Sequence, residues 1–225
     1  MGVWRTMLFA ALLLPGLAFA QGKTPTEGFG VCKPVTQRTS ELGCWILLDN
    51  PVGRLSADSV FWYLDAYPTR AAAYQAKEAG GTVIESFGKF WLLTIAKAGW
   101  HPSQPGRRVA EIGPISVNAA KEYSALYMEA VMKPGMTSQI HTHSGPEVWY
   151  TLSGETCLET PQGKMIERPG GPAVIVPAGV PMHLTATGKD QRRAIVLILH
   201  LASEKPTTII NSWQPKGLCD VDVHQ

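Results

Sequence analysis

The 225-residue sequence predicts a mainly β protein: a barrel or sandwich occupying residues 118–203, preceded by a small α+β unit at 42–117. Two observations carry this. From Tyr123 onward, short strand patterns alternate with Gly and Pro turn signals every eight to twelve residues, the rhythm of a sandwich or barrel. Between Cys44 and Ile95, a single helix pattern is flanked by strand patterns on both sides. The strand-rich block is not repeated elsewhere, so one barrel is expected.

The chain opens with Met1 to Ala20, where Arg5 is the only charged residue and Leu8 to Ala20 is almost wholly apolar. A positive start, an apolar core and the closing Ala18-Phe19-Ala20 read as a secretory signal peptide over residues 1–20. The apolar run is too short to span a bilayer comfortably. Position 21 is Gln, so no lipoprotein anchor site follows. The expected location is therefore periplasmic or secreted. With 20 basic and 18 acidic residues, the chain has no electrostatic reason to bind nucleic acid or an anionic membrane.

Residues 21–41 are polar and read as a leader. Cys44 to Asp49 is an apolar run suited to a buried strand, and Val60 to Tyr67 is β-branched and aromatic, again a strand. Thr69 can cap a helix over Arg70–Ala79, which Gly80-Gly81 can stop. Thr82–Phe87 and Phe90–Ile95 flank Gly88-Lys89, a two-residue hairpin turn with Gly in the first central place. Trp100 to Arg108 holds two prolines and a glycine and reads as a loop. Its His101 and Arg107-Arg108 are expected to be solvated.

The strands expected in the barrel block are Tyr123–Met132, Ser138–His143, Glu147–Leu152, Glu155–Glu159, Lys164–Glu167, Ala173–Val176, Met182–Ala186 and Ile195–Leu201. Residues 204–225 form a mostly polar tail with Trp213 and Cys219 as anchors. The four cysteines, Cys32, Cys44, Cys157 and Cys219, allow two disulfides in an exported chain, and the sequence does not choose among the three pairings.

His141 and His143 stand two apart, so on a strand they share one face, with Cα atoms about 7 Å apart. Gly145-Pro146 turns the chain and Glu147 begins the next strand, which can bring a carboxylate opposite two imidazoles. Two His and one carboxylate leave coordination positions open for substrate and oxygen.

Gly135-x5-His141-x-His143-x3-Glu147-x6-Gly154, followed by Gly171-x5-Pro177-x-Gly179, resembles the two motifs of the cupin superfamily. The resemblance covers residues 123–202. It implies a jelly-roll barrel with a metal in its interior, and a homodimer paired through outer sheets. One place departs: where a third histidine is expected stands Met182, with His183 one later. An ungapped reading puts Met182 inside and His183 outside, because a one-residue shift reverses the face. A β-bulge would return His183 to the interior as a further ligand. The ungapped reading is the expected one, since bulges are the less common case. His200 in the last strand is a further candidate ligand.

The expected cofactor is a divalent transition metal, one of Fe, Mn, Ni, Cu or Zn. Alternation from Glu147 turns Trp149 and Thr151 inward, and Gln139 shares the face of His141. With Met182 and Leu184 they define a mostly apolar pocket for a small molecule. Two functions are compatible: a metal-dependent, dioxygenase-like enzyme acting on a small organic molecule, and a non-catalytic exported ligand-binding module that has lost a metal ligand.

Overall fold

A computed structural model describes residues 1–2 and 31–220 of the chain. Residues 3–20 of the expected signal peptide and 21–30 of the polar leader lie outside the described residues, as do the last five residues of the tail. The strands in chain order are β1 (Lys33–Pro34), β2 (Gly43–Arg54), β3 (Ser59–Tyr67), β4 (Gly81–Ser86), β5 (Lys89–Ala96), β6 (Arg107–Ser116), β7 (Glu122–Met132) and β8 (His141–His143). They continue as β9 (Glu147–Ser153), β10 (Glu155–Thr160), β11 (Gly163–Glu167), β12 (Ile175–Val176), β13 (His183–Thr187), β14 (Arg192–Leu201) and β15 (Thr207–Ile209). The single α-helix among the described residues, α1 (Arg70–Ala76), lies between β3 and β4. The protein is mainly β, as the turn rhythm predicts.

A six-stranded sheet, ordered β1-β2-β7-β14-β9-β12, faces a three-stranded sheet, β11-β10-β13. A ribbon of β15 and β8 lies at one end, with β8 touching the β13 side through the His141–Met182 bridge. The barrel is therefore two facing sheets and a ribbon, not a continuously closed cylinder. A separate four-stranded sheet, β4-β5-β3-β6, packs on the outer face of the six-stranded sheet.

Alternation along β7 and β14 explains this layering. Leu126, Met128 and Ala130 of β7, and Ala194, Val196 and Ile198 of β14, point into the barrel. Tyr123, Ala125 and Tyr127, and Ile195, Leu197 and Leu199, point outward and meet Trp62, Leu64 and Trp91 of the small sheet. Both strands are buried on both faces, which is why they read as near-continuous apolar runs. Each of the Leu, Ile, Val and Met side chains among them contributes about 1.5–3 kcal/mol by leaving water.

Several local expectations are corrected here. Gly43–Arg54, at the start of the α+β stretch, pairs antiparallel with β7, so this part of it extends the barrel sheet. The small sheet takes its fourth strand from β6, inside which Arg107-Arg108 lie. Arg108 is not a solvated loop residue: its Nε donates to Asp65 at 2.7 Å and its guanidinium lies over Tyr63. The β4–β5 turn falls on Phe87-Gly88, both with positive φ, one residue earlier than predicted. Gly therefore takes the second central place, as a type I′ turn favours. Phe87 is kept there by its amide, which donates to Glu129 of β7. Thr69 caps α1 as expected by accepting from the Ala72 amide at 3.1 Å, but the helix ends at Ala76.

The cysteines pair Cys32–Cys44 and Cys157–Cys219. The second bond ties the tail to β10, and the tail adds a strand no local pattern announced. β15 pairs with β8 from Thr207↔His143 to Ile209↔His141. Trp213 is half-buried, and Cys219 is buried. No helix among the described residues is long and apolar enough to cross a membrane.

Candidate metal centre

The turn between β8 and β9 depends on Gly145. A Cβ there would lie 1.8 Å from the Leu199 carbonyl oxygen of β14, so any side chain would push the turn off the sheet. With the turn held close, Glu147 starts β9 facing the two histidines of β8. The ligand-capable atoms of His141, His143 and Glu147 all lie within 4.8 Å of one another. The two imidazoles sit edge to face, centroids 4.8 Å apart.

Both rings are oriented by backbone carbonyls. His141 Nδ1 lies 2.7 Å from the Gln139 carbonyl, and His143 Nδ1 lies 2.9 Å from the Pro206 carbonyl. A carbonyl only accepts, so each Nδ1 carries a proton and Nε2 of the neutral ring keeps its lone pair. This arrangement fixes the tautomer a metal needs. His143 Nε2 and Glu147 Oε2 are buried without a hydrogen-bond partner. They approach to 3.4 Å, an electrostatic contact and not a closed hydrogen bond. Two orphaned acceptors beside a third imidazole are what a divalent cation would satisfy, so this donor set fits the metal implied by the motif.

The protonation tendencies agree with that use. Burial, reinforced by neighbouring His143, pulls His141 below the ordinary histidine value, which favours the neutral imidazole that a metal would bind. Burial also acts to lower His143, but the Glu147 carboxylate and the Pro206 carbonyl outweigh it and hold His143 above the ordinary value. Burial acts to raise Glu147, yet the two histidines outweigh it and hold its carboxyl low. A proton thus occupies in part the place a cation would take.

The triad forms part of the wall of a cavity of about 250 Å³. Gln139, Trp149 and Leu184 line it, as alternation predicts. Thr151 and Met182 do not. Thr151 points inward but lies deeper along β9, and its buried hydroxyl donates to Glu167. Met182 is fully buried in the barrel core, its backbone bridged to His141. His183 is on the opposite face. Its neighbours Met182 and Leu184 point inward, there is no bulge between them, and His183 itself faces Glu159 and Asp220. It is therefore not a fourth ligand. His200 is also apart, its Nε2 3.3 Å from Asp49.

Three contributors escaped the sequence reading. The tail supplies Lys205, Pro206 and Thr207 to the cavity wall, and the Cys32–Cys44 pair supplies another part. The third is Arg192, 1% exposed and inward-facing. It continues the inward series Ala194, Val196, Ile198 by one step of two, so period-two alternation carried past Ile195 would have found it. Gly154 makes room for it: a Cβ there would lie 2.6 Å from the Arg192 Cα, and the residue has φ +71°. One glycine of the first motif thus seats this strand, and Gly145 seats the ligand hairpin.

Residues 128–198 match the family model described as Cupin domain. No curated protein sequence matches the chain. Among solved structures, a cupin superfamily protein from Desulfitobacterium hafniense is 14% identical over 38% of this chain and 73% of its own, with TM-score 0.31. A protein with a double-stranded β-helix domain from Klebsiella pneumoniae is 13% identical over 44% and 77%, with TM-score 0.34. A DMSP lyase from Ruegeria pomeroyi is 24% identical over 38% and 42%, with TM-score 0.33. The family match takes in the triad, and it identifies residues 128–198 as a cupin domain.

Proposed function

We propose that this chain is an exported, metal-dependent cupin acting on a small organic molecule, with His141, His143 and Glu147 holding a divalent transition metal. The observation that carries the reading is the pair of orphaned buried acceptors, His143 Nε2 and Glu147 Oε2, beside His141 on the wall of a largely apolar cavity. When bound, the metal would supply Lewis acidity and open coordination positions. The chain's own residues do the rest. The Gln139 and Pro206 carbonyls orient the imidazoles, and Leu184, Val196 and Ile198 exclude water and hold an apolar body. Dioxygenase-like oxidation is the reaction class this three-ligand set suits best.

A second reading is kept because Met182 is buried in the core where a fourth ligand is expected. In it the chain is a ligand-binding module without turnover. Two disulfides support export to a periplasmic or secreted location. A homodimer would need another face, since the outer side of β7 and β14 is covered by the chain's own small sheet.

The test is elemental analysis of protein purified from its native compartment, with His141→Ala and Glu147→Gln alongside. About one metal ion per chain, lost in both variants, is expected. Wild-type protein without metal would overturn the metal reading. Full metal without oxygen consumption across a panel of small aromatic and aliphatic substrates would favour the binding module.

A further inference from the structure

Arg192 is an unusual residue to find inside a barrel. It is 1% exposed, and among the described residues no carboxylate lies within ion-pair distance, although Glu167 and Glu147 are near enough to favour its charge. Its Nε donates to the Thr156 hydroxyl and its Nη1 reaches only the Met132 sulfur, a weak acceptor at 3.9 Å. Its Nη2 is buried without a hydrogen-bond partner among the described residues. Burial pulls its pKa down to about 10, with Glu167 and Glu147 opposing, so it stays charged at neutral pH. A buried cation left this incomplete is costly unless an anion completes it.

Its place in the cavity gives that anion a position. The β9–β14 register sets Ile198 opposite Glu147 and Val196 opposite Trp149, with Arg192 beyond Ala194 on the same inward face. Six residues of strand separate Arg192 from Ile198, about 20 Å of backbone. The guanidinium reaches back over the Trp149 ring, 5.9 Å from its centroid. The triad and Arg192 thus line one cavity, near enough that the Arg192 charge helps hold the Glu147 carboxyl low, and Leu184 and Val196 line the same cavity.

Resting on the small-molecule reading above, we propose that the ligand is a monocarboxylate, its carboxylate held by Arg192 and its apolar body extending toward His141, His143 and Glu147. A planar guanidinium with free donors suits a carboxylate geometrically. A cavity of about 250 Å³ suits a ligand the size of a short fatty acid or a single-ring aromatic acid. Lys205 also lines the cavity and is the competing anion site. As an exposed ammonium it carries no desolvation cost for an anion to relieve.

The probes are benzoate and hexanoate, each against its neutral amide, by titration calorimetry on metal-loaded and metal-free full-length protein. At least one acid is expected to bind about ten- to a hundredfold more tightly than its amide, the range for a charge-assisted bond to a buried donor. That preference should vanish in Arg192→Met, persist in part in Arg192→Lys, and be unchanged in Lys205→Met. Should Arg192→Met not fold, the wild-type acid-to-amide ratio and Arg192→Lys still decide the matter. Acids and amides binding alike in wild-type protein, or a preference lost with Lys205→Met, would overturn the proposal. The metal-free arm separates the two readings: loss of the metal assignment leaves the Arg192 dependence measurable.

Discussion

Removing the Cys157–Cys219 bond should do two separable things. The bond closes a separation of 62 residues, against 12 for Cys32–Cys44. On the chain-entropy model these loops are worth about 4 and about 3 kcal/mol respectively. For a chain of this size, about 4 kcal/mol corresponds to a melting temperature lower by roughly 10 °C. The second effect is local. The tail delivers the Pro206 carbonyl to His143 Nδ1, and without the disulfide it is held mainly by the short β8–β15 pairing and by the Lys216 and Leu218 amides that donate to Glu159. Losing the partner that orients a ligating histidine costs about 10- to 100-fold in metal affinity. The assay is urea denaturation of Cys157→Ser/Cys219→Ser and Cys32→Ser/Cys44→Ser, with metal affinity by chelator competition. The Cys157 pair should cost more stability and, in addition, metal affinity. Unchanged affinity in the Cys157 variant would refute the positioning role of the tail, and equal or greater destabilisation by the Cys32 variant would refute the loop argument.

His183→Ala should leave metal content at the wild-type level while His141→Ala abolishes it, because only the latter faces the cavity; metal loss in His183→Ala would mean the β13 register is wrong. Gly145→Ala should destabilise by about 3 kcal/mol or more and lower metal loading, since backbone of β14 stands where the Cβ would go; a urea midpoint within error of wild type would count against that clash. The pH dependence of the metal-free protein follows from the His143–Glu147 pair. His143, held above its ordinary 6.5, contributes stability that is complete below that value and lost as pH rises through its folded pKa. Glu147, held below its ordinary 4.5, contributes stability present above that value and lost as pH falls through its folded pKa. Stability from the pair should therefore be greatest between about pH 4.5 and 6.5, and metal affinity should rise with pH above 6.5 as the His143 proton is displaced more easily. Urea midpoints across pH should show this optimum in wild type and lose it in Glu147→Gln; identical profiles would remove the pair as its origin.

Much of the site was legible because its signals are local. Two histidines at i and i+2 share a face whatever surrounds them, and Gly145-Pro146 must turn the chain before Glu147. The Met182/His183 question was also open to a local argument. Ungapped alternation sends Met182 inward and His183 outward, and the side chains follow it. The apolar pocket was half legible: alternation assigns a face but not a depth, so Thr151 and Met182 were placed on a wall that they lie behind.

Local signals in the chain are enough for the mainly β class, the helix cap at Thr69, the hairpin that carries His141, His143 and Glu147, and the inward face of β9. Long-range packing sets the rest: β2 pairs with β7, the tail contributes β15 and the Pro206 carbonyl to His143, and the four cysteines pair as Cys32–Cys44 and Cys157–Cys219. It also leaves Arg192 buried in the cavity wall with its Nη2 lacking a hydrogen-bond partner among the described residues. The reason is physical. Turn geometry and alternation act within a few residues, whereas a strand's partner depends on which sheet edge and which apolar face are free when the chain collapses. β2 and β15 carry ordinary strand and tail sequences; their places were set by the open edges of β7 and β8, brought close by residues far away in the chain.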